Sequence, residues 1–406
     1  MGTLDATAFD YSLKTRYSDE VVQFMAYKDN PFFAMVKKDQ KFGGKNFGFA
    51  MQYSGGGAGR SSTFSTAQTN ASAGKGVDFT LTRSKDYAVA RIDAETVLAS
   101  ENDSDALLSA VEDEHDKALY KLIRSMAIGM FGNGSGKLGT VDSPGASTTL
   151  TLENSSDVTN FEVGMRLVFA ADEASALRDS GKVLTVNGVD ADVGTLTMSA
   201  NVSTVSGITD GDSIFAEGDY DSASDRNKIA GLSGWIPLTA PTSGDSWFGV
   251  DRSVDPVRLA GHRLSGTGKA IDEALYDLAA RIGRDGGRPD TGIVSFSNYA
   301  NLVMLLGTKV VYQTHTIANI GFEAIRIMAP KGPVDIFPDQ NCPDDVGYVL
   351  TKNTWKLKSL GMAPRVLDLD GKRWARISDA DGIEIRDVFM GNLYCNAAGW
   401  NGRTTL

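Results

Sequence analysis

Residues Gln52–Gly76 read QYSGGGAGRSSTFSTAQTNASAGKG. Glycine clusters followed by a basic residue are what a phosphate-binding loop offers, and they are also what a long flexible arm offers. A phosphate loop needs Gly-x-x-x-x-Gly-Lys-Ser/Thr between a strand and a helix, so that backbone N–H groups, the lysine and the hydroxyl surround the phosphates. At Gly59-Arg60-Ser61 the lysine is replaced by arginine, and Ser54 stands at the first glycine position. Gly74-Lys75 is followed by Gly76, with Thr69 at the first glycine position, while Gly136-Lys137 has Phe131 and Leu138 at the other two. All three fail, which leaves the arm: small polar residues keep the chain flexible and few apolar groups order it. The flanks agree. KNFGFAMQY (45–53) and VDFTLTRSKDYAVARI (77–92) alternate apolar and polar residues, and are read as two strands of an extended hairpin. A tip this long is no tight turn, and long irregular loops in compact proteins carry function or disorder.

With 406 residues the chain has room for two or three domains and a sizeable core. Its apolar share of 42% and charged share of 22% are those of an ordinary globular protein. No run approaches the roughly eighteen apolar residues of a membrane helix. The start, MGTLDATAFDYSLK, lacks the basic and apolar regions of a signal peptide, and Ala6 breaks the myristoylation pattern. A cytoplasmic setting is therefore expected. Cys342 and Cys395 lie far apart and are read as buried thiols; two cysteines alone make no zinc site. The net charge of −11 is uneven: between Thr140 and Tyr220, thirteen Asp or Glu face only Arg166, Arg178 and Lys182, a net of −10. Such a segment reads as a separate, solvent-facing unit. It also excludes a sequence-reading DNA-binding protein, which would need a basic patch.

The first forty residues read as an arm with short helices. From Ser104 to Phe131, residues Leu107, Leu108, Val111, His115, Ala118, Leu119, Leu122, Met126 and Met130 recur at helical spacing. Asn102, Asp103 and Ser104 are candidate N-caps, and Gly132 can stop the helix. Residues 140–220 hold five short β-type runs, STTLTL, MRLVFA, KVLTVNGVD, GTLTMSA and DSIFAEGD, which suggest a small antiparallel sandwich or barrel inserted into a host domain. The chain then turns α/β. Ile271, Ala274, Leu275, Leu278 and Ile282 share a helical face, TGIVSFS is a buried strand, and Ser297 is placed as the cap of a helix ended by Gly307. FEAIRIMAPKGPVDIFPD pairs two strands about Pro-Lys-Gly-Pro. The closing segment, KRWARISDADGIEIRDVFMGNLYCNAAGW, reads as three strands with Asp381-Gly382 as a turn.

Chemistry is thin. Of His115, His262 and His315, only His115 has acidic neighbours, but EDEHDKAL lacks the His-Glu-x-x-His zinc spacing and reads as a charged helix flank. No Gly-x-Ser-x-Gly elbow is present. Asp172-Glu173 and Asp210/Asp212 are glycosidase-like carboxylate pairs, and equally turn residues. Asp339, Asp344 and Asp345 lack the EF-hand order of ligands. Neither a catalytic set nor a cofactor or metal site is expected.

The order of arm, glycine-rich hairpin, long helix, α/β domain and return strands resembles the major capsid proteins of tailed bacteriophages, the α+β Hong Kong 97-type fold. The resemblance is carried by GLSGWIP…WFGVDRS (231–253), IGFEAIRIMAPKGPVDIFPDQNCPDDVGYVLTKNTWKL (320–357) and DGIEIRDVFMGNLYCNAAGWNG (381–402). It implies an N-terminal arm at 1–45, an extended loop hairpin at 46–95, the spine helix of a peripheral domain at 96–136 and an inserted β domain at 137–225. Peripheral strands at 226–260, an axial domain at 261–365 and return strands at 366–406 complete the map. Arg60, Phe64 and Lys75 would then be the loop's contacts with a neighbouring subunit. Some such proteins crosslink a loop lysine to a neighbour's asparagine, which would cast Lys75 with Asn396 or Asn401. The implied role is a virion shell that self-assembles from hexamers and pentamers in the host cytoplasm, with a portal at one vertex. A separate scaffolding protein or a processed N-terminus is expected. The double-stranded DNA inside would be held without sequence-specific contact, which suits a chain with no net positive charge. An encapsulin-type compartment, or a carbohydrate-active enzyme using the acidic insert, is the alternative.

Overall fold

The computed structural model describes residues 17, 19–54, 59–93, 95, 104–220, 227–307, 312–317, 320–368, 371–377 and 381–406. The N-cap candidates Asn102 and Asp103, and Gly55 to Ala58 of the glycine cluster, lie outside them. The chain folds into two compact units. The first combines the segment ending at Ala34 with Ser84–Gly231 and Ser359–Gly391; the second combines Met35–Arg83, Leu232–Lys358 and Asn392–Leu406.

The first unit is organised by the helix Ser104–Phe131, whose 28 residues span about 42 Å at 1.5 Å each. Val111, His115, Ala118, Leu119, Leu122, Met126 and Met130 form its buried stripe. That stripe packs across the strand Ser84–Asp93, which pairs antiparallel with Gly382–Gly391 in continuous register from Ser84↔Gly391 to Asp93↔Gly382. The run 77–92, read as one arm of the hairpin, is therefore two strands. Lys75–Thr82 stays in the hairpin, and Ser84–Asp93 leaves it for the C-terminal strand. Alternation is equally regular in both, so only the partner distinguishes them.

His115 is likewise not on a charged flank. It is 1% exposed, and its Nε2 lies 2.9 Å from Asp387 Oδ1 of the return strand. Tyr17 lays its ring edge-on at 4.2 Å and donates its hydroxyl to Asp116 at 2.7 Å. Burial raises the Asp387 carboxyl above its usual pKa, with His115 and Arg373 pulling it back. Where the helix ends, Gly231 is obligatory: a Cβ there would lie 2.2 Å from Met130 O.

Residues 137–216 form a closed six-stranded antiparallel barrel. Lys137–Asp142 lies between Ser213–Ala216 and Thr149–Leu152, and Thr195–Met198, Leu184–Asp190 and Arg166–Ala170 complete the circuit. Lys137–Asp142 was not among the five runs read as strands, because Gly139 breaks its apolar pattern. Closure leaves no free sheet edge.

Asp212, 2% exposed, takes two hydrogen bonds from the Arg178 guanidinium at 2.8 and 2.9 Å, and two from Thr209. Burial alone would raise its pKa, but Arg178 and Thr209 outweigh burial and hold the carboxyl below its usual value. A folded pKa below the unfolded one contributes stability above about pH 4, and that stability is lost as pH falls through the folded value. Asp212→Asn should thus cost the barrel about 2 kcal/mol at pH 7, half-exposed Arg178 moderating the loss, and should weaken its acid sensitivity. Denaturant unfolding at pH 7 and pH 3 checks both; equal stability of the two proteins at pH 7 would refute the assignment.

The second unit is built on a seven-stranded mixed sheet in the order His262–Leu264, Gly402–Thr405, Val346–Leu350, Thr291–Val294, Gly332–Pro338, Ile320–Ala329, Tyr312–Ile317. The central strand Thr291–Val294 is buried throughout, as a strand covered on both faces must be. Ala274, Leu275, Leu278, Ala279 and Ile282 bury the inner face of the helix Ile271–Arg284, with Asp272 and Glu273 in its first turn and Arg281 and Arg284 in its last, as the helix dipole favours. Two expectations change. The cap of the helix Phe296–Leu306 is Ser295, which accepts from Asn298 N, rather than Ser297. Gly402–Thr405, read as a return strand of the peripheral domain, lies inside this sheet between His262–Leu264 and Val346–Leu350.

Candidate functional site

The hairpin pairs Asn46–Ser54 with Lys75–Thr82, in register from Asn46↔Thr82 through Phe49↔Phe79. Alternation puts Phe47, Phe49 and Met51 on one face of the first strand, and Phe79 and Leu81 on the matching face of the second. That face is clamped by aromatics. Phe49 stacks on Phe79 at 5.3 Å and meets Tyr394 at 5.0 Å, and Phe79 lies 5.5 Å from Trp235. Trp235 is fully buried and donates Nε1–H to Leu393 O at 3.0 Å. The Arg252 guanidinium donates to the carbonyls of Gly234 and Trp235 and lies 4.8 Å from the Trp247 ring centre. Thr80 N donates to Phe248 O at 2.9 Å, and Arg258 donates to Tyr53 O. Removing an aromatic from such a site costs about 3–5 kcal/mol, so the arm has a rigid root.

The outer part is different. Phe64–Thr69 forms a short helix that buries none of its residues. Thr63 Oγ1 donates to Thr66 Oγ1 at 2.8 Å, and Thr69 Oγ1 donates to Ser65 O at 2.9 Å. Gly59 is buried with φ +58°, and a Cβ there would fall 2.1 Å from Ala67 O. Among the described residues the tip is a knob tied by its own backbone; small residues permit close approach as readily as disorder. Phe64, at the start of the helix, is 83% exposed. Arg60 and Lys75 are exposed too, Lys75 standing opposite Ser54 in the ladder, and neither makes an ion pair among the described residues. Arg60 and Phe64 are thus on the knob, and Lys75 is at its base. The sequence reading missed Gly59 and the Trp235 clamp; for the clamp, matched parity of Phe47, Phe49 and Phe79 was the available signal.

Asn401 cannot serve as a crosslink acceptor. It is fully buried, its Oδ1 accepts from Thr351 N and Trp355 Nε1, and its Nδ2 donates to Ala397 O at 2.8 Å. Asn396 is exposed. The carboxylate pairs are occupied structurally: Asp172 accepts from Ala174 N, Glu173 from Asn133, Asp210 from Ser143 N, and Asp339 from Asn341 N. Among the described residues no group of His, Cys, Asp or Glu is placed to hold a metal, and no helix is long and apolar enough to cross a membrane.

A root-clamped arm, a long helix and a mixed α/β sheet are the parts of the Hong Kong 97-type capsid fold. The chain is similar in structure to a chain of the cyanophage A-1(L) capsid asymmetric unit, with a TM-score of 0.50 at 12% identity over 93% of this chain and 92% of that one. Weaker likenesses are to a protein of Mycobacterium phage Adephagia (TM-score 0.42, 11% identity, 93% and 90% covered) and to an encapsulin of Synechococcus elongatus (0.42, 8%, 91% and 84%). No curated protein sequence matches the chain. Residues 209–371 match the family described as SU10 major capsid protein. The chain thus has the fold of phage capsid proteins, and its residues 209–371 are similar to one capsid-protein family.

Proposed function

We propose that copies of this chain close into an icosahedral shell of hexamers and pentamers around double-stranded DNA. A portal occupies one vertex, a separate scaffolding protein guides assembly in the host cytoplasm, and the subunit catalyses no reaction. The observation that carries this reading is the arm: a root fixed by buried aromatics holds out a structured tip whose Phe64 is 83% exposed and whose Arg60 and Lys75 make no ion pair among the described residues. An isolated monomer gains nothing from such a tip, whereas a neighbouring copy covers it. Arg60, Phe64 and Lys75 are the intersubunit contacts in this reading, with residues 261–365 at capsomer centres and 1–45 as the arm. Repeated modest interfaces sum in a closed symmetric assembly. Electron microscopy of the purified protein should show closed particles, and particles recovered from infected cells should hold nuclease-resistant DNA. Particles filled with protein cargo would favour the compartment reading; a subunit that stays monomeric at every concentration, with or without its scaffold, would sink both.

A further inference from the structure

The barrel and the helix Ser104–Phe131 are joined rather than packed together. Among the described residues, the barrel's apolar clusters draw only on residues from Leu138 to Tyr220, and the helix contributes no side chain to them. Between them lies an open cleft of about 260 Å³, walled by Arg124 and Ile128 of the helix and by Leu138, Val163 and Met165 of the barrel. What spans the join is polar. Arg124 Nη1 faces Glu162 Oε1 at 3.3 Å, and Lys228 Nζ sits 2.9 Å from both Asp86, on the strand beneath the helix, and Asp219, where the chain leaves the barrel. The neck is narrow: Lys228 N donates to Gly134 O at 3.0 Å, so the outgoing and returning chains run side by side. Gly134 and Gly136, with φ of +96° and +84°, occupy left-handed backbone that only glycine changes at little cost.

We propose that the barrel is a hinged module that swings as a rigid body on this neck, and that Lys228 is the latch holding it against the spine helix. Swinging breaks no apolar cluster, because the described residues share none across the join. It separates two ion pairs and opens a cleft already accessible to solvent. The latch has an asymmetry that makes it testable. Lys228 is 11% exposed and lies between two carboxylates; without its ammonium, Asp86 and Asp219 face each other as like charges at most about 6 Å apart and drive the module open. In a shell whose positions are not all equivalent, such a hinge lets one sequence present its barrel at several inclinations. That use rests on the shell reading, whereas the hinge does not, so the test is made on the unassembled full-length subunit.

Spin labels on cysteines introduced at the exposed Glu114 of the helix and the exposed Asp192 of the barrel report the angle; labels at Asp192 and Asp210 report the barrel alone. Lys228→Met should at least double the width of the first distance distribution, leave the second unchanged, and speed amide exchange at residues 133–137 by about tenfold. Lys228→Arg, which keeps the charge, should retain the wild-type distributions. Should Lys228→Met fail to fold, Asp219→Asn removes half of the latch and should widen the first distribution alone. A first distribution as narrow as wild type in the latch variant overturns the proposal. Widening of both distributions also overturns it, because the barrel would then be unfolding rather than swinging.

Discussion

Replacing Gly55–Gly74 with Asn-Gly should leave a folded, soluble subunit that fails to close into the proposed shells. Ser54 and Lys75 already face each other at the end of the ladder, so a two-residue Asn-Gly turn closes the hairpin without moving either strand. The aromatic clamp on Phe49, Phe79 and Trp235 lies wholly outside the deleted stretch and stays intact. Shortening a loop of about twenty residues to two even removes on the order of 2 kcal/mol of closure entropy, so the subunit should be no less stable. What disappears is Gly59's seat, the helix Phe64–Thr69, and with them Arg60 and Phe64. Far-UV circular dichroism should match wild type, while sedimentation shows particle yield reduced at least tenfold. Normal shells would remove the arm from assembly, and global unfolding would show that the tip belongs to the core.

Leu119→Pro is expected to abolish the soluble subunit. Leu119 is fully buried in mid-helix. Proline there removes the N–H that bonds the carbonyl of His115 and drives its ring into that turn, at about 3 kcal/mol or more. The lost leucine packing adds about 2–5 kcal/mol. The sum reaches much of the 5–15 kcal/mol by which a typical domain is stable. The kink also falls beside the buried His115–Asp387 pair, which a shift of the helix would separate. Leu119→Ala separates the two effects: it keeps the helix, loses about 3 kcal/mol, and should still yield particles. Wild-type particle yield from the proline variant would mean that the helix is not the frame of its unit.

Periodicity was enough for the elements whose pattern is local. The stripe from Val111 to Met130 gives the helix Ser104–Phe131 the limits read for it, and the two-residue loop at Pro330-Lys331 joins the strands it was expected to join. The acidic, turn-rich stretch after residue 137 shows its β character in sequence because each strand there pairs within the same eighty residues.

Tertiary structure decided whatever depends on a partner distant in sequence. Ser84–Asp93 alternates as regularly as Lys75–Thr82, and only the register with Gly382–Gly391 takes it out of the hairpin. His115 among Glu112, Asp113, Glu114 and Asp116 reads as a surface residue until Asp387, in another segment, supplies the acceptor that lets it be buried. Asn401 reads as an available amide until Thr351 and Trp355 occupy its oxygen. At the tip, the glycines and small hydroxyl residues fit a disordered loop and a tightly folded knob equally well. Composition sets what backbone conformations are allowed, and the 2.1 Å that a Cβ at Gly59 would leave to Ala67 O arises only once the chain has turned back on itself. Spacing along a sequence encodes which face a side chain takes; which segment that face will meet is settled by packing over hundreds of residues, and that is where the exposed Phe64 and the Lys228 bridge were determined.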